Sequence, residues 1–310
     1  MKDSFGREID YLRISVTSRC NFRCAYCGAA PPLTEELSPG EFAAFAAAFA
    51  RAGIRKIRLT GGEPLVRQDL PAIAAAVKTA ASPETLAVTT NGYDLQRFAQ
   101  PLAKAGVNAV NVSLDTLDPA CFRAITGVDG LPRVLRGLEA ALNAGFQRVK
   151  VNAVLMRGVN EDAAGALIEL ARRYALDIRF IELMPGEDDP AADGRRVTAG
   201  EILAEYPFLE PLPGGGETAE YYTAPGFLGR VGLIAPVSRR FCSDCSRIRL
   251  LSDGRVKPCL GQPETYDLRP FLSDPGGLYE EIRRVILLKP AGHRFSEPGG
   301  GLPPMNRIGG

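Results

Sequence analysis

Between residues 11 and 183 the chain repeats one pattern. A short apolar or alternating run is followed by a longer segment whose apolar residues recur every three or four positions. The short runs cover 11–16, 56–60, 86–90, 108–114, 148–155 and 177–183. The spacing predicts helices over 38–53, 69–80, 93–105, 131–145 and 160–174. Ser38-Pro39-Gly40-Glu41 has the form of a capping box with proline in the first turn, and Gly53 ends that helix. Leu131, Leu135, Leu138 and Leu142 mark one helical face, stopped by Gly145. Six strands alternating with helices predict a parallel sheet with helical crossovers. A closed barrel of this kind has about eight such units. The expected fold is therefore α/β, an open, partial (β/α)6 barrel.

Chemistry in such barrels sits at the carboxyl ends of the strands. Polar residues collect there: Gly61-Gly62-Glu63-Pro64, Thr89-Thr90-Asn91-Gly92 and Ser113-x-Asp115 follow the second, third and fourth runs. Lys150 and Asn152 lie in the fifth, and Met184-Pro185 closes the sixth. Past Met184 the pattern changes to an acidic loop from Gly186 to Asp193, a helix over 199–206 and a Pro/Gly-rich stretch over 211–216. A boundary is expected near 186, between a barrel core (1–185) and a C-terminal region (186–310). Leu278, Ile282, Val285 and Ile286 predict a last amphipathic helix, stopped at Pro290. The Gly309-Gly310 end is by default a frayed terminus.

Composition removes several function classes. Hydrophobic residues at 45% and charged residues at 24% are ordinary for a globular protein. Lys+Arg 37 against Asp+Glu 36 leaves +1, so no overall field favours nucleic acid or a membrane surface. No apolar run reaches membrane-spanning length. Met1-Lys2-Asp3-Ser4 carries no apolar signal region, and a cytoplasmic location is expected. The seven cysteines fall as three, one and three: 20, 24, 27; 121; 242, 245, 259. In a reducing compartment this grouping points to metal or cluster ligation rather than disulfides. Cys121, alone in a helical stretch over 119–125, reads as a small core residue.

Cys20-x3-Cys24-x2-Cys27 lies in the loop after the first strand. A loop can turn three thiolates of this spacing toward one face of an iron–sulfur cluster. One iron of a cubane is then open to a substrate or cofactor. Zinc is the alternative for this loop taken alone, although structural zinc takes four ligands, often as paired Cys-x2-Cys knuckles. The second group reads Cys242-x2-Cys245-x13-Cys259. Strands over 246–251 and 255–258, joined at Asp253-Gly254, form a hairpin that returns Cys259 to the pair. His293 could supply a fourth ligand to zinc, but as a lone histidine near the C-terminus it reads as a surface residue. Arg247 and Arg249 alternate with Ile248 and Leu250, so both guanidiniums leave one face beside the cysteines. That face is either an exposed basic edge or a pocket for an anion.

Cys20-x3-Cys24-x2-Cys27 with Tyr26 resembles the signature of the radical S-adenosylmethionine (SAM) enzymes, and the partial barrel is similar to their core. Three further features narrow the likeness. They are the second triplet with Arg247 and Arg249, the opening Gly6-Arg7-x3-Tyr11-Leu12-Arg13-x-Ser15-Val16-Thr17, and the Ile308-Gly309-Gly310 end. Together they resemble the GTP 3′,8-cyclase branch, lyases of molybdenum cofactor biosynthesis. Ser18 stands where Asp is commoner, and Gly28-Ala29 where Met-Pro is usual; neither change removes a ligand.

The resemblance implies two 4Fe-4S clusters and SAM as cofactors, and conversion of GTP to (8S)-3′,8-cyclo-7,8-dihydroguanosine 5′-triphosphate. Cys20, Cys24 and Cys27 would hold the cluster that binds and cleaves SAM, with Tyr26, Gly62, Ser113 and Met184 touching SAM. Cys242, Cys245 and Cys259 would hold the second cluster, facing the guanine base. Arg13, Arg58, Thr89, Lys150, Arg247 and Arg249 would contact GTP. Arg13, Arg247, Arg249, Gly309 and Gly310 are the catalytic candidates, the Gly-Gly end inserting toward the active site. An external reductant is implied, and the product would pass to cyclic pyranopterin monophosphate synthase. The assembly state is open, a homodimer included. A triphosphate needs several cations, five of the six GTP positions are Arg or Lys, and no P-loop pattern is present to hold phosphate by backbone. The competing readings are another radical SAM enzyme with an auxiliary cluster, such as a peptide-modifying maturase, and a zinc-stabilised binding module.

Overall fold

The computed structural model describes residues 1–28, 30–33, 35–186, 192–213, 218–295 and 301–309. Ala29, the centre of the acidic loop (187–191), Gly214–Gly216 of the Pro/Gly-rich stretch and Gly310 lie outside the described residues.

Strand parity decides the architecture. The barrel strands are β1 (Tyr11–Ser15), β2 (Lys56–Thr60), β3 (Thr85–Thr90), β4 (Ala109–Ser113), β5 (Arg148–Leu155) and β6 (Asp177–Glu182). Leu12 pairs with Ile57, Ile57 with Leu86, Val110 with Val149, and Val151 with Ile178. These rows form one fully buried apolar face. They pack under α1 (Pro39–Arg51), α2 (Leu70–Ala81), α3 (Leu95–Lys104), α4 (Pro119–Thr126), α5 (Leu131–Asn143) and α6 (Ala163–Arg173). Each strand's other parity faces inward and is largely polar: Tyr11 and Arg13, Arg58, Thr89, Lys150 and Asn152, and Arg179 line the cavity, and Asn111 lies against Arg58 and Arg179. Parallel sheets usually bury apolar residues on both faces. Here the inner face is kept polar, which marks it for binding rather than packing.

The expected capping box is present: Ser38 Oγ accepts from Glu41 N, and Glu41 accepts from Ser38 N. The helices expected from 69 and 93 begin one and two residues later. Asp69 is held by Arg67 at 2.6 Å and Asp94 by Arg133, so neither carboxylate caps. Cys121, expected in the core, is half-buried, its Sγ 3.4 Å from the Val159 carbonyl.

The remaining elements are α7 (Ala192–Arg195), α8 (Ala199–Glu205), β7 (Glu210–Pro211), β8 (Glu220–Thr223), β9 (Arg230–Ile234), β10 (Arg247–Leu250), β11 (Arg255–Lys257), β12 (Tyr266–Asp267), α9 (Pro275–Leu287) and α10 (Met305–Ile308). The predicted hairpin is β10–β11, with Gly254 at φ +89° in its turn. Its position was not legible in sequence: β10 lies parallel beside β1, while β9 lies parallel beside β6. One open sheet results, in the order β12-β11-β10-β1-β2-β3-β4-β5-β6-β9-β8-β7. Residues beyond 186 thus extend both edges. Among the described residues no helix is long and apolar enough to cross a membrane.

Candidate functional site

A cavity of about 830 Å³ opens on the polar inner face. Both cysteine triplets line it: Cys20, Cys24 and Cys27 from the loop after β1, and Cys242, Cys245 and Cys259 around β10–β11.

The first loop is pinned by backbone and rings. Arg23 N and Ala25 N donate to the Thr126 and Ile125 carbonyls, each at 2.9 Å. Phe22 meets Tyr93 and Phe122 edge-on, with ring centroids 5.7 and 5.9 Å away. Gly61 and Gly62 let the β2 turn lie against this loop, since a Cβ on Gly62 would overlap the Arg19 carbonyl. Burial pushes the Cys27 thiol up to about 11, and burial followed by the Asp115 charge raises Cys24. The Tyr26 hydroxyl donates to Asp115 at 2.8 Å, and Asp115 also accepts from Val154 N at 2.8 Å. Burial raises Asp115 to about 6. Tyr26, Gly62, Ser113 and Met184 line this end of the cavity.

The second triplet sits among cations. Burial raises the Cys245 thiol, but Arg247 and Lys289 outweigh it and bring the thiol down to about 6. Arg7 donates to the Cys242 carbonyl at 2.9 Å and is itself paired with Asp3 at 2.6 Å. His293 corrects an expectation. It is not a surface residue but a half-buried part of the cavity wall, stacked on Phe295 with centroids 4.1 Å apart. Its hydrogen bond to Cys242 holds that thiol below its ordinary value.

Between the triplets runs a belt of cations. Register sets Arg249 beside Arg13 and Arg13 beside Arg58. Arg58 donates to Tyr11 and, at 3.0 Å, to Thr89. Lys150 reaches the Tyr221 hydroxyl at 3.4 Å. Burial, then Arg249, lowers Arg13, while burial and Arg247 bring Arg249 down to about 10. All six residues expected at GTP line the same cavity. The sequence reading placed Asn152 at this end without a role and assigned no site role to Arg179, Asn111, Tyr11 or Tyr221. The first three of these share the inward parity of residues it did name, so strict alternation would have found them. Tyr221 comes from the short strand β8, next to the sheet edge, with no local signal.

The tail enters from the side. Met305 N donates to the Cys27 carbonyl at 2.9 Å, and Asn306 Nδ2 to the Ser18 and Ala30 carbonyls at 3.1 and 2.8 Å. Gly309 is buried and its carbonyl accepts from Arg249 at 3.1 Å. This end is therefore seated rather than frayed as far as Gly309.

All described cysteines are free thiols. Among the described residues no group of three His, Cys, Asp or Glu side chains surrounds a single metal ion. A cubane places each thiolate on a different iron and asks for sulfurs spread around a mouth. Two all-thiolate triplets lining one cavity fit iron–sulfur clusters better than zinc.

Residues 14–171 match the Radical SAM superfamily and residues 176–295 match Molybdenum Cofactor Synthesis C. The chain is 43% identical to the GTP 3′,8-cyclase of Heliobacterium modesticaldum, covering 100% of both chains. It is 41% identical to GTP 3′,8-cyclase 1 of Pseudomonas aeruginosa, covering 96% of this chain and 94% of that one. Identity to molybdenum cofactor biosynthesis protein 1 of Bos taurus is 42%, covering 92% of this chain and 47% of the longer relative. The fold is similar to SuiB of Streptococcus suis bound to S-adenosylmethionine. That match has a TM-score of 0.58 at 14% identity, over 89% of this chain and 66% of that one. By these matches the chain belongs to the radical SAM superfamily, and within it to the GTP 3′,8-cyclase family.

Proposed function

We propose that the chain converts GTP to (8S)-3′,8-cyclo-7,8-dihydroguanosine 5′-triphosphate, using SAM and two 4Fe-4S clusters. The observation that carries this reading is one cavity walled by both cysteine triplets with a cationic belt between them. Cys20, Cys24 and Cys27 would hold the first cluster, and Cys242, Cys245 and Cys259 the second. Bound there, the clusters and SAM supply one-electron bond cleavage, hydrogen abstraction and an open iron for the base.

The protein's own work is positioning and exclusion of water. Arg13, Arg58, Lys150 and Arg249 gather a triphosphate, each charge-assisted contact contributing about 1.5–3 kcal/mol. Thr89 holds Arg58 in place, and the Gly309 carbonyl does the same for Arg249. Arg247 lies between the belt and the second triplet, where it can serve both anion and cluster. Tyr26, Gly62, Ser113 and Met184 form the SAM-facing wall. The residues past 186 act as the region that completes this cavity. Cytoplasmic conditions, an external reductant and hand-over of the product to cyclic pyranopterin monophosphate synthase complete the proposal.

The test is anaerobic incubation of reconstituted protein with GTP, SAM and dithionite. Formation of 5′-deoxyadenosine that requires GTP, with a cyclised nucleotide product, supports the reading. Equal 5′-deoxyadenosine with and without GTP, and no nucleotide product, overturns it.

A further inference from the structure

Lys289 follows α9 and is only 3% exposed. Its ammonium donates to the Arg247 carbonyl at 2.7 Å and to the Pro258 carbonyl at 2.7 Å. These carbonyls belong to the two chain segments that carry the second triplet. Arg247 lies two residues past Cys245, and Pro258 directly precedes Cys259. Two of the three N–H bonds of one side chain thus tie the ligand segments together.

Its electrostatic surroundings are unusual. Burial pushes its pKa down, the Cys245 and Cys259 thiols pull it back up, and Arg7 and Arg247 push it down again. Its two hydrogen-bond partners are neutral carbonyls, and no carboxylate is among the leading influences on it. A buried ammonium is costly without a counter-charge. The negative charge within its reach is sulfur. Lysine is also a compact point charge, suited to a centre that spreads its charge over several atoms.

We infer that Lys289 is a positioning residue for the second cluster, holding its ligand segments together and raising its reduction potential through its charge. The inference rests on the reading that Cys242, Cys245 and Cys259 hold such a cluster. Iron–sulfur potentials respond to net charge and to hydrogen bonding around the cluster. A fixed positive charge favours the reduced form, which carries one more electron. At the first triplet the charged side chains acting on Cys20 and Cys24 are instead carboxylates, Glu63 and Asp115.

The experiment is an EPR-monitored redox titration of reconstituted wild-type, Lys289→Met and Lys289→Arg proteins, without GTP or SAM. Methionine keeps the length and removes the charge; arginine keeps the charge. A wild-type chain with about eight irons carries two cubanes. In Lys289→Met the second cluster's reduction equilibrium should fall at least tenfold, about 59 mV for one electron. The first cluster should stay in place, and Lys289→Arg should recover most of the shift. Loss of the second cluster from Lys289→Met but not from Lys289→Arg also supports the inference. An unmoved second-cluster potential in Lys289→Met, equal shifts or equal cluster loss in both variants, or a joint shift of both clusters overturns it. Wild-type protein holding only about four irons would instead defeat the two-cluster reading.

Discussion

Replacing Gly309 with alanine tests whether the tail's end belongs to the cavity. Gly309 sits at φ +76°, ψ +123°, a sparsely populated region where another residue costs about 1–3 kcal/mol. A Cβ there would lie 2.8 Å from Thr60 Cγ2 and 3.4 Å from Ser15 Cβ. Overpacking of that kind costs about 1–3 kcal/mol, giving about 2–6 kcal/mol together. Against this stand the tail bonds from Met305, Asn306 and Arg249, each worth about 1 kcal/mol net. The two sides are comparable, so the end of the tail should swing out while the barrel stays folded. Forfeiting about 2–4 kcal/mol of tail docking should lower the melting temperature by about 4–8 °C, with a single cooperative transition retained. Arg249 loses its carbonyl partner, and kcat/KM for GTP should fall about 10- to 100-fold, on the scale of one charge-assisted hydrogen bond. The assay is GTP-dependent 5′-deoxyadenosine formation, with trypsin cleavage after Arg307 as the structural readout. Adding Thr60→Ser removes Cγ2 and should restore part of the loss, the backbone cost remaining. Wild-type kcat/KM with unaltered cleavage at Arg307 in Gly309→Ala would refute this reasoning.

Pyrophosphate or GTP at 100 times its Kd should raise the melting temperature by about 5–10 °C, since such saturation stabilises by about 2.7 kcal/mol. Scanning calorimetry checks this, and Arg179→Met, which relieves repulsion with Arg58, should shrink the shift while stabilising the free chain. Gly62→Ala puts a Cβ 2.7 Å from the Arg19 carbonyl carbon and should displace the first loop, lowering iron from about eight to about four per chain in an iron assay. Burial raises Glu63 to about 7 from 4.5. The folded chain then holds this proton more tightly than the unfolded one, so the contribution is full below 4.5 and is lost as pH rises through about 7. At about 1.4 kcal/mol per unit, urea midpoints of the metal-free chain should reveal a fall of up to about 3 kcal/mol, which Glu63→Gln abolishes.

Most of the barrel was legible because period is a local property. Alternation in 56–60 or the leucine spacing of 131–142 depends only on neighbours in sequence. The edges were not legible for the opposite reason. β7 and β12 are two residues each, and β9 reads Arg-Val-Gly-Leu-Ile with a glycine where packing would otherwise advertise a strand. Their pairing is set by what the sheet edge leaves unbonded. The cysteine loops carried their chemistry in spacing alone. His293 did not, because its role comes from Phe295 and from Cys242, 51 residues earlier in the chain (293 − 242). Arg179 was overlooked because a single arginine in an apolar strand looks like an exposed position until its parity is compared with Arg58 and Lys150.

The docking of β10 beside β1 has an energetic consequence that bears on what the cavity is for. It sets Arg249 directly across from Arg13, which already lies across from Arg58. Neighbouring strands are about 4.8 Å apart. Like charges at that spacing repel by about 3 kcal/mol per pair at an effective dielectric of 20. A sequence selected for stability alone would break this row with a neutral residue or place a carboxylate beside it. Its polar neighbours include a phenol, a threonine, an asparagine and the Gly309 carbonyl, groups that orient guanidiniums without carrying a full negative charge. The row is therefore stable in proportion to the anionic charge that enters. The residue that completes it, Arg249, comes from β10, so the C-terminal hairpin must dock beside β1 before the anion site exists.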